Sequence, residues 1–530
     1  MKVYLILIFL QWIYVHAFDF DFVSSKSGTV SPTVSVTPTV TVSTRKINGR
    51  INYTAVGCPQ QLLLLSLPSP LPSILETALI SIQNIVTSII NISSVPGGAI
   101  RITYKGLPIL SFSTGFADKA SKRVVSENTI WRIGSVTKLF PATMLQIMEV
   151  GDVNVNFFAP SFKPINPFDD SNITFNQIAS QQSGLQREAP FGVTTTDEVL
   201  DAVSKTYLVQ PPGEKPSYSN LGFAILGHIL GEKVAKSTFR ELSSELIFQP
   251  LEMSDTGFDY TVPGISNRLA SGYDIFGNIV PFTDLGWVEP AGSAYSSLED
   301  LSLLATALID AAAAPNGTTV SSIKLGITPV AARSYLSPVY YNRDGQTLFG
   351  RPWEIQTISS SSDGIFLAYN KGGNLNGYST FFSLVPDLSI SIIAAFNGNV
   401  DEFAIGNTIL NALVDPLISV LTDIQPSLPF NPSQTPLDYV GIYTLDETEV
   451  VVRFEQGMLL WYNSAVGVQI ILDHFVGDIF RSAFPSSSFT CLAGELEALR
   501  YQYVIFQRNQ TGLIFSTAME GWIPGAIWIR

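Results

Sequence analysis

Apolar positions recur at helical spacing across residues 74–90 and predict a first long helix. Residues 99–104 and 108–114 then read as two strands around Lys105, Gly106 and Leu107, a hairpin. A long middle region mixes helical pattern with loops. Strand-like runs return at residues 353–358, 364–370, 378–385 and 389–396, the last two around Pro386 and Asp387, and a helix is predicted over about 401–414. Strands at both ends of a stretch with helices between them predict an α+β domain: an antiparallel sheet flanked by helices, plus an all-helical region. Prolines 426, 429, 432 and 436 mark residues 424–436 as a linker. Beyond it the pattern changes to short β runs at 441–444, 449–454, 458–463, 469–472 and 501–508, so 437–530 is expected to form a separate antiparallel β domain or small barrel.

The first residues carry a different pattern. Lys2 precedes a short apolar stretch, residues 3–15, and small residues follow at Val15 and Ala17 around His16. That is the form of a signal peptide over residues 1–17, shorter than the ~20 residues a membrane span needs. Association with a membrane is expected only if this segment stays attached as an anchor. Ser, Thr, Val and Pro dominate residues 24–44, and such a composition cannot build a core, so 18–60 is expected to be a Ser/Thr-rich stalk. Glycosylation sequons at Asn52, Asn91, Asn172, Asn316 and Asn509 agree with a secreted or lumenal glycoprotein. In an oxidising compartment Cys58 and Cys491 could pair.

Composition narrows the function mostly by exclusion. Hydrophobic residues make up 46% and charged residues 14%, enough for a large core in the α+β unit expected at 61–423. A net charge of -14 with no basic run excludes nucleic acid as a partner, because phosphate binding needs clustered Lys and Arg. The histidines are His16, His228 and His474 and the cysteines Cys58 and Cys491, so no ligand cluster for zinc is present and neither metal nor cofactor is expected. His228 lies in an apolar helical run and is expected to pack. The G-x-S-x-G elbow and the phosphate-binding G-x-x-x-x-G-K-[ST] are both absent. A base other than histidine is therefore expected if a serine is activated here.

Three elements carry candidate chemistry. Ser135 and Lys138 form an S-x-x-K that opens an amphipathic run to Glu149; three residues apart on a helix, the amine lies on the face of the hydroxyl and within its reach. Tyr218 and Asn220 form a Y-x-N after Pro211, Pro212 and Gly213, just before a helix. Lys371, Gly373 and Asn374 lie at the end of one strand and the start of the next, where glycine lets backbone approach a ligand. The spacing alone is common: Ser43 with Lys46, Ser321 with Lys324 and Tyr340 with Asn342 repeat parts of it without the context.

S-x-x-K, Y-x-N and K-x-G in this order resemble the serine β-lactamases and penicillin-binding proteins, in type the class C enzymes with their esterase and D-peptidase relatives. The resemblance covers about residues 75–420. It extends to the run from Tyr218 to Gly227, to residues 248–258 as an F-x-P-L-x-M-x-D-T-x-F, and to Pro290, Ala291 and Gly292 with Asp300 and Leu301. The tail from Asp438, with Tyr439 to Tyr443, is similar to a lipocalin-like domain appended to many relatives. Ser180, Gln181 and Gln182 stand before Ser183, Gly184 and Leu185 where the family usually has a histidine, a departure expected to concern loop packing. Lys371, rather than the histidine of many eukaryotic relatives, keeps a charge that could hold a substrate carboxylate. The resemblance implies a serine hydrolase acting on an amide or ester of a small molecule or peptide. Ser135 would be the nucleophile, Lys138 or Tyr218 its base, Asn220 an orienting residue, and the backbone N–H groups of Ser135 and Asn374 the oxyanion hole. A catalytically silent binding or structural protein on the same fold is the alternative.

Overall fold

A computed structural model of the protein describes residues 45–47, 50–52, 64, 66–92, 95–190, 192–314, 318–344, 346–360, 365–423, 435–455, 457–464, 468–476, 478–483, 503–519 and 526–530. The chain divides into two compact units, residues 1–55 and 56–530. In the first, the described backbone is a short antiparallel pair, Arg45–Ile47 with Arg50–Asn52, inside the segment expected to be a stalk. The signal-like residues 1–17 lie outside the described residues.

The second unit is built on a nine-stranded sheet. Its strands are β1 (Gly97–Tyr104), β2 (Leu107–Asp118), β3 (Arg123–Val124), β4 (Tyr340–Tyr341), β5 (Thr347–Phe349), β6 (Glu354–Ser359), β7 (Ile365–Leu375), β8 (Tyr378–Val385) and β9 (Ile390–Phe396). They lie in the order β3-β2-β1-β9-β8-β7-β6-β5-β4, so β1 pairs with β9 from the far end of the domain, Gly98 opposite Phe396 and Tyr104 opposite Ile390. The hairpin expected at Lys105 and Gly106 is there. Both residues have positive φ, 50° and 74°, as the two-residue turn that matches strand twist requires.

Both faces of the central strands are covered. Along β9, Ile390, Ile392, Ala394 and Phe396 join one core, while Ile393 and Ala395 join another. Along β8, Phe381 and Val385 face the first and Phe382 and Leu384 the second. Two-sided burial explains why these strands read as continuous apolar runs rather than alternating ones. The first core is closed by helices α1 (Ser73–Ile92) and α5 (Glu402–Asp423), which pack side by side through Leu75, Leu79, Ile82 and Val86 and through Ile409, Leu413 and Leu417. Both helices are long and apolar enough to cross a membrane; half of that window is buried in α5 and 28% of it in α1. The second core holds the middle region, with α2 (Leu139–Met148), α3 (Asn220–His228) and α4 (Leu298–Ala313) among its helices.

Several boundaries differ from the sequence reading. Helix α5 does not stop near residue 414 but runs through Pro416 to Asp423. A proline removes one helical hydrogen bond, and burial of Leu417, Ile418, Val420 and Leu421 beyond it offsets the loss. Strand β7 extends past Asn370 to Leu375, so Lys371, Gly373 and Asn374 lie within a strand rather than at its end. The edge strands β3 and β4, and β5 next to β4, carry too few residues to show a pattern.

Residues 441–529 form a closed barrel whose described strands are β10 (Gly441–Leu445), β11 (Thr448–Glu455), β12 (Met458–Asn463), β13 (Val468–Val476), β14 (Ile479–Ala483), β15 (Tyr503–Arg508), β16 (Ile514–Met519) and β17 (Trp528–Ile529). Side chains fill it: Trp461 and Trp528 meet edge to face at 5.7 Å, and Tyr443, Phe480 and Phe506 are buried. The Tyr439 hydroxyl donates to Asp478 at 2.7 Å, and Arg508 holds the same carboxylate at 2.9 Å.

Helix α5 approaches the sheet closely at Gly406, where an added Cβ would fall 2.2 Å from the buried Phe381 ring. Overpacking of this kind costs about 1–3 kcal/mol. Gly406→Val is therefore expected to lower the unfolding free energy by that amount, read as a lower denaturant midpoint at unchanged slope, with Gly406→Ala between it and the parent; equal midpoints for all three would refute this packing.

Candidate active site

Ser135 lies in a 3-10 turn, Gly134–Lys138, that runs into α2. With three residues per turn, side chains at i and i+3 eclipse, which is a tighter alignment than the shared α-helical face expected from sequence. Lys138 Nζ accordingly stands 3.0 Å from Ser135 Oγ. The turn is pinned by Thr137, whose hydroxyl donates to Gly134 O at 2.6 Å and accepts from Ala294 N at 3.0 Å.

Two glycines bring strand β7 against this turn. Gly134 has φ +51°, and an added Cβ would lie 2.9 Å from the backbone nitrogen of Asn374. A Cβ on Gly373 would lie 2.0 Å from Ile133 O. Backbone packs directly on backbone here, and the Asn374 nitrogen is thereby set beside the residue preceding Ser135.

Lys138 is fully buried, with 0% exposure. Its three N–H donors match three acceptors: Ser135 Oγ, Asn220 Oδ1 at 2.8 Å and Ala291 O at 2.7 Å. Burial disfavours its charge, and with the Lys371 ammonium nearby this outweighs the attraction of Tyr218, bringing its pKa down to about 8.

Tyr218 presents its hydroxyl 2.6 Å from Ser135 Oγ. Its loop is held by the segment that departs from the family pattern. Gln181, at φ +63°, accepts from Ser219 N through its side chain at 2.8 Å and from Ser217 N through its carbonyl at 2.7 Å. Ser219 then caps α3, accepting from Gly222 N at 2.8 Å, which places Asn220 at the helix start. Lys138, Arg187 and Lys371 put cationic groups 4.8, 5.0 and 5.5 Å from the Tyr218 ring centre. Burial pushes the phenol up, but the charges of Lys371 and then Lys138 prevail and hold it below the usual tyrosine range.

Lys371 is buried within β7 and donates to Glu354 Oε1 at 2.8 Å and Gly372 O at 3.2 Å. The other Glu354 oxygen accepts from Gly372 N at 3.2 Å. Burial disfavours the ammonium, yet Glu354 and Tyr218 more than compensate and raise its pKa. The side chain of Asn374 donates to Glu402 at 2.6 Å and accepts from Ser379 at 2.9 Å. Asn220 offers its amide N–H groups to both oxygens of Glu188, each at 3.0 Å.

Ser135, Lys138, Tyr218, Asn220, Lys371, Gly373 and Asn374 are thus brought to one place. Sequence reasoning missed Glu188, Glu354 and Glu402, acids in a loop, a strand and a helix start with no pattern to mark them. The Ala291 carbonyl sits in a segment that was singled out, but a backbone acceptor leaves no side-chain signal. His228 packs as expected: its ring stacks on Trp287 at 4.6 Å and its Nε2 lies 2.8 Å from Trp287 O. The chance repeats lie elsewhere, Lys324 paired with Glu252 on the surface at 3.8 Å and Tyr340 in edge strand β4. Asn172 and Asn509 are exposed. His16, Cys58, Cys491 and Asn316 lie outside the described residues, and Asn52, Asn91 and His474 are described in backbone only. Among the described residues no group of three or more His, Cys, Asp or Glu could hold a metal ion.

The family profile described as Beta-lactamase matches residues 82–415. "Putative beta-lactamase-like 1" of Homo sapiens is 30% identical over 365 residues, which are 64% of this chain and 69% of that protein. "Beta-lactamase-like protein 2" of Dictyostelium discoideum is 27% identical over 384 residues, 65% of this chain and 66% of that protein. A class C beta lactamase from Rhodobacter sphaeroides shares the fold at a TM-score of 0.54 and 20% identity, over 65% of this chain and 99% of that one.

The contact between Gly373 and Ile133 O generates a prediction. Displacing a reacting group by about 1 Å can cost 10²-fold, so Gly373→Ala is expected to slow covalent modification of Ser135 about 100-fold. Modification of the variant at the parent rate, measured by mass spectrometry, would show that this approach does not position the serine.

Proposed function

Since the chain belongs to the Beta-lactamase family, whose fold supports serine-hydrolase chemistry, we propose that it cleaves an amide or ester through an acyl-enzyme on Ser135. The observation that carries this reading is the position of Ser135 Oγ, 3.0 Å from Lys138 Nζ and 2.6 Å from the Tyr218 hydroxyl. A serine hydroxyl is a weak nucleophile until a neighbouring base takes its proton. Here Lys138 and Tyr218 are both in reach, and both have pKa values lowered toward the range where a base can act.

Ser135 Oγ attacks the carbonyl carbon while its proton passes to Lys138 or Tyr218. The bond to the leaving nitrogen or oxygen then breaks, and that atom takes the proton. Water attacks the acyl carbon as Tyr218 takes its proton; the bond to Ser135 Oγ breaks, Oγ recovers that proton, and the acid product leaves. Backbone N–H groups of Ser135 and Asn374 stabilise the oxyanion, an interaction whose loss typically costs ~10²–10³ in rate. Asn220 holds Lys138 in line with Ser135. Lys371 keeps a positive charge beside Tyr218. The signal-like N-terminus, the Ser/Thr-rich stretch and the exposed sequons Asn172 and Asn509 support a secreted or lumenal setting.

Covalent labelling tests the reading directly. A fluorescent fluorophosphonate or penicillin is expected to add its mass at Ser135, and Ser135→Ala to abolish the addition. No labelling of folded protein by either probe would leave the family fold as a binding or structural scaffold.

The electrostatics give a pH prediction. The Lys371 charge lowers the pKa of both Lys138 and Tyr218, and each must lose a proton to act as base. Lys371→Met removes that charge and leaves Glu354 unbalanced, so both pKa values rise. The acid limb of the acylation rate is expected to move to higher pH, whichever group is the base. A shift to lower pH in stopped-flow labelling would contradict the assignment.

A further inference from the structure

Large apolar side chains stand out into water together at one loop. Between residues 275 and 282, Ile275 is 63% exposed, Phe276 81%, Ile279 54% and Phe282 55%. Exposed apolar groups gathered in this way mark a surface that meets protein or membrane. The loop is a built hairpin. Val280 N donates to Gly272 O and Asp274 N to Asn278 O, both at 2.9 Å, and Gly277 turns the chain at φ +80°. One oxygen of Asp274 accepts from the backbone N–H groups of Phe276 and Asn278, each at 2.9 Å, and the other from the Asn278 side chain at 3.1 Å. The base is fixed as well. The Tyr273 hydroxyl accepts from Lys119 N at 2.7 Å, and a Cβ on Gly377, in the turn joining β7 and β8, would fall 2.8 Å from Tyr273 N. Phe276 is thus held out in water on a fixed framework.

Charge beside the tip indicates what covers it. Lys119 Nζ lies 3.7 Å from the Cβ position of Gly277 and 5.7 Å from the Tyr273 ring centre, and Lys122 is exposed at the adjoining turn. Neither lysine forms an ion pair with a described residue. Asp118 and Asp274 are half-buried and commit their oxygens to Ser121, Ser271 and the N–H groups of the hairpin, so the charge presented outward is that of the lysines. An apolar tip flanked by outward cations, on a chain of net charge -14, matches an anionic lipid surface. The bilayer interface takes apolar side chains to a depth of roughly 5–10 Å, and its headgroups attract ammonium groups. A second copy of the chain fits less well, because a projecting hairpin needs a concave receptor and a stable interface covers about 800 Å² on each partner.

We propose that this hairpin is a membrane-docking element: Ile275 and Phe276 enter the interface of an anionic lipid surface while Lys119 and Lys122 meet its headgroups. Membrane contact of this kind needs no retained N-terminal segment, the sole route expected from sequence. Docking does not depend on the chemistry at Ser135.

The test uses the full chain with Phe276→Trp and vesicles whose acyl chains carry bromine, a quencher of tryptophan. On phosphatidylcholine containing phosphatidylserine, the emission that the new tryptophan adds to the parent's is expected to move to shorter wavelength and to be quenched, and to be quenched less on phosphatidylcholine alone. In that background Lys119→Gln and Lys122→Gln should each raise the lipid concentration for half-quenching about 5-fold, and Ile275→Asp roughly 10-fold or more. All four positions are exposed, so unfolding midpoints should stay at the parent's. No quenching, or equal quenching on both vesicles, overturns the proposal. Quenching that none of the three changes weakens overturns it too, because a retained N-terminal segment then accounts for the contact. A chain that sediments as a dimer, becomes a monomer in Ile275→Asp and shows no quenching assigns the hairpin to a second copy instead.

Discussion

The burial of one ammonium group governs how the site is built. Taking the Lys138 charge out of water is costly, and the chain meets the cost with acceptors gathered from three separate segments: its own turn, the start of α3 and the short helix Glu289–Gly292. These segments must converge before the lysine has partners. Conversely, once they do, Ser135 has little freedom to be anywhere else. Removing water from the amine also brings its proton affinity near neutrality, so the same burial that demands the architecture prepares the group to accept a proton.

A second layer of charge compensates the first. Glu354 grips Lys371 and the next backbone N–H together, so one carboxylate fixes both a cation and the strand bearing it. Glu402 fixes the Asn374 side chain, leaving its backbone toward the turn of Ser135. Glu188 fixes the Asn220 amide so that its oxygen, not its nitrogen, faces Lys138. Each acid acts on a different arm of the site. Together they turn a dense group of cations into a nearly balanced one.

Much of this was legible in the sequence, and the exceptions have physical causes. The α+β plan followed from apolar runs at both ends, because strands buried on both faces cannot hide their composition. The three motifs were legible because each needs a particular side chain at a particular spacing. The helix expected to end near residue 414 runs on as α5 to Asp423, because Leu417 and Leu421 reach the core beyond Pro416, a long-range contact with no local signal. Lys371, Gly373 and Asn374 are expected between two strands because small residues carry no strand pattern, whereas Gly373 is what allows β7 to lie on the turn of Ser135. The supporting acids were invisible, since a carboxylate acting through another residue follows no period. Gln181 was recognised only as a departure; its role in holding the loop of Tyr218 depends on contacts 36 to 38 residues away.

The pairing of β1 with β9 has a consequence for how the protein is made. Gly97 N is joined to Asn397 across 300 residues of sequence, and the hairpin β1–β2 has no partner on that edge until β9 has left the ribosome. For most of synthesis the nascent chain therefore carries an open strand edge next to the apolar side chains of Ile100 and Ile102, a template for pairing with the wrong neighbour. Contacts this distant also slow folding of the complete chain. A ribosome that stops anywhere before β9 releases a product that cannot close its sheet, and the yield of this protein in any host depends on what shields that edge during the wait.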